Sequence, residues 1–244
     1  MNTKVEILNV GFNPTDYQQL LAFLSESKNR KGYVCFPDIY NILRANEDET
    51  LKNIYDSATL TLPDGKPSEF LLHRKGYKNA VTISGYWLCK KLLNTELSHF
   101  FYGSSDNNLK LMMNNIKKEF PGANIAGSKS PPFLEENQIA GNAVIKADLE
   151  NIRKSKPDII WVGISSPKQD LLMYYHNSAQ EGTIMIGVGA VFDYFAGKAH
   201  MGPEWIKKLG LRWFYQLLMD PKRYYSRLAY IFLKLPVVVF KKSS

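Results

Sequence analysis

Short apolar runs alternate with amphipathic stretches along almost the whole chain. Apolar, β-branched and aromatic residues crowd residues 5–10, 32–36, 58–62, 81–84, 99–102, 123–127, 158–163 and 183–187. Most of these runs close on glycine, proline or a polar turn, and they predict strands. The stretches between them predict helices over 16–27, 39–45, 48–55, 67–75, 88–97, 108–120 and most of 135–154, with another opening near 168. Thr15 or Asp16, then Asp38 and Asp48, stand where N-caps are wanted. The stretch 108–120 carries the pattern most openly, with Leu109, Leu111, Met112, Ile116 and Phe120 roughly on one side. Such alternation predicts the α/β class: a Rossmann-like open, mostly parallel sheet with helices on both faces.

Ligands of such sheets sit beyond the carboxyl ends of the strands, so the turns there are the candidate chemistry. Pro63-Asp64-Gly65 aims a carboxylate past a strand end, where it can serve as a general base. The same triplet is also ordinary turn chemistry. Pro167-Lys168-Gln169 opens a helix, where free N–H groups favour anions. Proline in a first helical turn is equally a plain structural choice. Gly85 and Gly103-Ser104 end strands, and Gly163 ends the run before Ser165. Gly187-Val-Gly189 turns into an apolar segment whose one charge is Asp193, a carboxylate that needs a partner if it is buried. There is no Walker motif, no Cys/His cluster of metal-ligand spacing and no Asp-x-Asp pair. The four histidines are scattered and read as structural or surface residues.

Charge changes the picture at one end. The 244 residues carry a net charge of +8, and +7 of it lies in 204–244, so the first 203 residues are nearly neutral. This divides the chain into a Rossmann-like domain over 1–203 and a basic, aromatic appendage over 204–244. Basic amphipathic helices with Trp and Tyr suit an anionic membrane surface. Packing on the body with solvated lysines is the competing reading. The apolar run 231–240 argues against nucleic acid. No run has the 18–20 apolar residues of a spanning helix, Cys35 and Cys89 suit a reducing compartment, and the N-terminus has no signal-peptide pattern. The expected location is cytoplasmic, peripheral on the inner face of the cell membrane.

Taken in order, several motifs resemble the WecG/TagA/CpsF family of bacterial glycosyltransferases. They are Leu62-Pro-Asp-Gly65, Ser130-Pro-Pro-Phe133, Pro157 to Gly163, Pro167-Lys-Gln169, Gly187 to Asp193 with Ala196-Gly197, and Pro203-Glu-Trp205 through Trp213 to Asp220-Pro221. The resemblance runs from about Gly32 to Arg227. It implies an inverting, metal-independent transferase without cofactor. The donor would be a nucleotide-sugar, commonly a UDP-sugar, and the acceptor a polyprenyl-diphosphate-linked saccharide of cell-surface polysaccharide synthesis. Asp64 matches the family's proposed base and Gln169 its glutamine. Asp193 matches an aspartate expected near the nucleotide end of the donor, and Asp38, Gly85, Gly103, Phe133, Gly163, Lys168 and Gly187 are the other candidate donor-binding residues. The appendage is expected to touch the membrane, and a homo-oligomer is compatible with the sequence. Departures from the pattern are Phe36 for Thr, Asp38 for Asn, Thr82 for Arg, Trp87 for Asp, Asp170 for Glu, Arg212 for Glu and Gln216 for Arg. They leave a second reading open: a non-catalytic, membrane-associated binding or scaffold subunit of a polysaccharide assembly complex.

Overall fold

The computed structural model describes residues 3–26, 29–177, 182–199, 202, 215, 217, 218 and 221–241. The boundary at 203/204, His200 and the tail positions Trp205, Arg212, Trp213, Gln216 and Asp220 lie outside the described residues.

The first apolar run, expected as one strand, is a tight antiparallel hairpin of β1 (Val5–Ile7) and β2 (Val10–Phe12). Leu8 and Asn9 form its turn, both at positive φ, which is the backbone a two-residue hairpin needs. The chain continues through α1 (Tyr17–Ser25), β3 (Tyr33–Cys35), α2 (Ile39–Ala45), α3 (Glu49–Ser57), β4 (Leu60–Thr61), α4 (Lys66–Arg74) and α5 (Gly85–Leu92). Next come β5 (Ser98–Gly103), α6 (Asp106–Glu119), β6 (Asn124–Lys129), α7 (Ala143–Lys154), β7 (Ile159–Gly163) and α8 (Lys168–His176). β8 (Ile184–Gly187), α9 (Val191–Phe195) and α10 (Pro221–Lys241) follow, and a 3-10 turn (Glu136–Gln138) lies between β6 and α7. Asp16, Asp38 and Asp48 each cap a helix, accepting from the backbone N–H of Gln19, Asn41 and Leu51.

Strands β3 to β8 form one all-parallel sheet in the order β4-β3-β8-β7-β5-β6. Side chains alternate across it. Tyr33, Cys35, Ile160, Val162 and Met185 enter one core layer, beneath α2, α3, α4, α7 and α8. Val34, Ile159, Trp161, Ile184 and Ile186 enter the other, beneath α1, α5, α6 and α9. Burial on both faces is why these strands read as continuous apolar runs.

One further expectation is corrected, one is refined and one element is new. Residues 81–84 join no ladder; they run extended, held by Val81 N–H to Thr15 O at 3.0 Å and Ile83 N–H to Pro63 O at 3.3 Å. The stretch 135–154, read as mostly helix, is a 3-10 turn at Glu136–Gln138 followed by α7, parted by Gly141 at φ +69° before Asn142 caps the second helix. Helix α9, which the sequence pattern did not announce, comes after the Gly187 turn and supplies Val191, Phe192 and Phe195 to the core.

At the centre of the sheet, β5 and β7 pair up to their last residues, Gly103 opposite Gly163. A Cβ on Gly103 would lie 2.5 Å from Gly163 O, and one on Gly163 would lie 2.6 Å from the Phe192 ring. Gly163→Ala should therefore cost about 1–3 kcal/mol through overpacking, read as a lower urea midpoint with an unchanged slope.

Asp170, in the first turn of α8, is fully buried against this layer. Its Oδ2 accepts from the hydroxyls of Ser166 and Tyr55, the latter at 3.3 Å. Its Oδ1 has no protein partner. Burial pushes its pKa up to about 6, against the hydroxyl bonds that favour the anion; Cys35 and Asp38 also face it. The folded protein thus holds this proton more tightly than the unfolded chain does. Asp170's contribution to stability is full below about pH 4 and is lost as the pH climbs through about 6, a change on the order of 2–3 kcal/mol. Asp170→Asn should flatten that decline in urea titrations between pH 4 and 7.

Candidate active site

Because all six strands run the same way, their six carboxyl-terminal turns share one edge of the sheet. From β5 the chain goes through α6 outward to β6, while from β7 it goes through α8 the opposite way to β8. Neighbouring strands whose connections diverge leave a crevice between them, the usual ligand position in open sheets. A cleft of about 390 Å³ lies there, lined among others by Ser104, Ser130, Phe133, Ile164, Ser165 and Lys168.

The turns that line it are fixed by local bonds. Ser104 N–H donates to Gly163 O at 3.0 Å, and Ser130 Oγ donates to Ser104 O at 2.6 Å. Ser105 caps α6 through Asn108 N–H. The Asn108 amide reaches both Ser104 Oγ and Asp193 Oδ1 at 2.8 Å. Asp193, half-buried, therefore has a partner, and α9 is tied through Asn108 to the cleft wall. Phe133 is 88% exposed, and the Lys168 ammonium sits 4.8 Å from its ring centroid. Lys168 also donates to Leu134 O and pairs with Glu135. A wide aromatic face beside a cation offers a stacking surface for a planar ligand group.

One strand along, Gln169 is buried and accepts Gly189 N–H on Oε1 at 2.9 Å. A Cβ at Gly187 would lie 3.0 Å from its Nε2, so glycine there admits the glutamine. Gly85 opens α5 against Val188 of the same turn. Further along, Asp38 and Asp64 come after β3 and β4. Asp38 caps α2 with one oxygen and takes Arg227 of α10 on the other at 2.7 Å. Asp64 precedes Gly65, whose φ of +88° only glycine holds cheaply, and the turn is braced where Pro63 O accepts Ile83 N–H. Tyr17 lies against Trp87 and bridges Thr82 and Ser84 beside it. Burial, with help from the nearby Asp64 carboxylate, raises the Tyr17 pKa.

The edge thus gathers the residues singled out from sequence into two ends. Phe133 and Lys168 line the cleft; Gly103 and Gly163 end the two strands beside it, and Asp193 reaches its wall through Asn108; Gln169, Gly187 and Gly85 belong to the next turns; Asp38 and Asp64 occupy the far end. Asp64 lies beyond β4, three strands from β7, or roughly 14 Å at the usual strand spacing. His73, His99 and His176 hold backbone carbonyls and play structural parts. Sequence reading missed Asn108 and the pairing of Arg227. The only signal was their position near Ser104 and within the basic tail.

Comparison with known proteins points the same way. A sequence model described as the glycosyl transferase WecG/TagA/CpsF family matches residues 5–243. Three similar proteins carry the name N-acetylglucosaminyldiphosphoundecaprenol N-acetyl-beta-D-mannosaminyltransferase. That of Bacillus subtilis (strain 168) is 26% identical over 74% of this chain and 68% of its own. That of Bacillus spizizenii (strain ATCC 23059 / NRRL B-14472 / W23) is 25% identical over 83% and 76%. That of Staphylococcus aureus (strain MW2) is 27% identical over 90% and 86%. With a parallel sheet, a cleft at its point of diverging connections and a family match across nearly its whole length, the chain belongs to the WecG/TagA/CpsF family of glycosyltransferases.

Proposed function

We propose that this glycosyltransferase moves an N-acetylhexosamine or a hexose from a UDP-sugar to a polyprenyl-diphosphate-linked saccharide, with inversion and without a metal. The similar enzymes are named for transfer of N-acetylmannosamine to an N-acetylglucosamine carried on diphosphoundecaprenol, which makes that the first donor and acceptor pair to try. The observation that carries the reading is the single edge that holds both the cleft and Asp64.

In this reading the nucleotide lies in the cleft, its base against Phe133 and its ribose towards Ser104 and Asp193. The sugar extends along the edge towards Asp64. The acceptor hydroxyl attacks the anomeric carbon from the face opposite the diphosphate. Asp64 takes the hydroxyl proton, the new glycosidic bond forms, and the old carbon–oxygen bond breaks with its electron pair leaving on the diphosphate. Backbone N–H groups at the opening of α8, and the amide of Gln169, are donors for that growing charge.

A lipid-borne acceptor calls for membrane contact, and α10 is built for it. Arg227, Tyr230 and Lys234 turn inward: Arg227 to Asp38, the other two to Glu47. Leu235 and Val238 pack on the body's core. The opposite side presents Tyr225, Phe232, Leu233 and Val237 to solvent, with Phe232 and Leu233 each 73% exposed. A surface helix whose described cations, Arg227 and Lys234, pair with acids of the body while apolar groups stay in water departs from the ordinary pattern. It suits a helix lying in a bilayer interface. No described helix is long and apolar enough to cross a membrane.

Asp64→Asn should lower kcat by about 10²–10⁴-fold with UDP-sugar and a polyprenyl-diphosphate-N-acetylglucosamine substrate, and change donor binding little. Unaltered turnover would remove Asp64 from its role. Replacing Phe232, Leu233 and Val237 together by serine should reduce cosedimentation with phospholipid vesicles tenfold or more. Equal partitioning would assign α10 to packing alone.

A further inference from the structure

A second surface, on the body, has the chemistry of the tail. Between Glu69 and Glu96 the sequence holds no acidic residue, yet it carries Arg74, Lys75, Lys78, Lys90 and Lys91. Lys90 pairs with Glu119 and Lys91 lies over Trp87. The other three stand together on the excursion that leaves the sheet at Asp64 and returns at Ile83. Its outward helix is α4, nine residues or about 13 Å long. Every residue from Arg74 to Asn79 is exposed. Phe70, one turn earlier, is 59% exposed, and Tyr77 is 42% exposed.

This tip is shaped by its own backbone. Tyr77 N–H bonds to Leu72 O and Gly76 N–H to His73 O, both at 3.1 Å, with Gly76 at φ +95°. That is the Schellman arrangement, which fixes the direction of the chain leaving a helix. The returning segment is tied back where His73 Nε2 meets Ala80 O and Glu69 accepts Thr82 N–H. Glu69, the acid of α4, is thereby turned inward and also pairs with Lys66. Three cations and two aromatic rings are left facing water on a fixed turn. Tyrosine beside lysine and arginine is the composition of a membrane-interface anchor. Leu71 and Leu72 of α4 pack in the same core layer as Leu235 and Val238 of α10, so both anchors lie over one face of the sheet.

We propose that the α4 tip, comprising Phe70, Arg74, Lys75, Tyr77 and Lys78, is a second docking surface for an anionic lipid bilayer, placed to set the height of Asp64 above the acceptor. This rests on the proposed transfer to a lipid-linked acceptor, which gives the surface its purpose. Positive charge against anionic headgroups selects the occupant, and the two rings supply the part that enters the interface. With α4 starting at the residue after Gly65's turn, the tip and the carboxylate are the two ends of one rigid lever. Together with α10 it gives two separated points of attachment, which fix the tilt of the edge as well as its distance.

The test uses the full chain. Each cation near an anionic surface is worth about fivefold in partitioning, about 1 kcal/mol. Arg74→Gln/Lys75→Gln/Lys78→Gln should reduce binding to vesicles of phosphatidylglycerol and phosphatidylcholine at least about tenfold, with a weaker dependence on salt. Phe70→Ser should lower binding further, and the melting temperature should not move. Transfer to a short-chain, water-soluble acceptor should be unchanged, while transfer to acceptor embedded in vesicles falls. Vesicle binding is read without turnover, so an inactive wild type would overturn the transferase reading and leave this measurement standing. Partitioning within twofold of wild type overturns the proposal. So does a wild-type dimer that the triple variant splits while vesicle binding persists, which would assign the tip to a second copy of the chain.

Discussion

The fit of Gly103 against Gly163 is the contact on which the arrangement of the edge depends. Two strands whose connections diverge must end together and then part, and any Cβ at either position meets backbone or the Phe192 ring. With both side chains absent, Ser104 N–H reaches Gly163 O and the β5 turn bends away from the β7 turn. The space that opens is the cleft. Phe192 sits on α9 one residue before Asp193, so its packing on Gly163 also positions the carboxylate that meets Asn108. Backbone, core and polar contacts are thereby coupled at one point.

Charge is handled along that edge by giving each carboxylate a different task. Asp193 bonds an amide that bonds the cleft wall. Asp170 is withdrawn from water among hydroxyls, and its pKa rises because desolvation outweighs those bonds. Asp38 is split between capping α2 and holding Arg227, with Arg227 also 4.5 Å from the Tyr40 ring centroid. That last pair matters beyond its own energy, which for a partly exposed ion pair is modest. It sets the rotation of α10. Once Arg227, Tyr230 and Lys234 face α2, helical spacing carries Tyr225, Phe232, Leu233 and Val237 to the outside.

What the sequence disclosed, and what it withheld, divides by range. Caps at Asp38 and Asp48 are contacts three residues long and were legible, as was the cap at Asp16 with Thr15 as its alternative; the strands were legible as short apolar runs, but not which residue faces which layer. The placing of Asp64, Gly103, Gly163 and Gly187 at strand ends was legible too, since turn residues mark where strands stop. The contacts that finish the site are of another kind. Asn108 to Asp193 spans 85 residues, Tyr55 to Asp170 spans 115 and Arg227 to Asp38 spans 189. No local pattern encodes such pairs. The misread segments fail for the same reason. Residues 81–84 have strand composition, but their N–H groups are spent on Thr15 and Pro63, so no ladder forms. Helix α9 is five residues long and owes its existence to packing on Gly163 rather than to propensity.

Summed charge misleads in a related way. The first 203 residues are almost balanced, which pointed to the tail as the basic surface. A surface, however, responds to charges within about a Debye length, near 10 Å at ordinary ionic strength. The α4 tip carries Arg74, Lys75 and Lys78, with which no acid among the described residues forms an ion pair, while Glu69 pairs with Lys66 and accepts Thr82 N–H. The acids that balance the total are elsewhere: Asp158 against Arg30, Asp148 against Lys129 and Glu136 against Arg44. Those pairs cancel locally, so the field left over a neutral body is set by the cations without acids nearby. By that measure the α4 tip and α10 belong to the same electrostatic and apolar design, although one lies in the near-neutral body and the other in the basic tail.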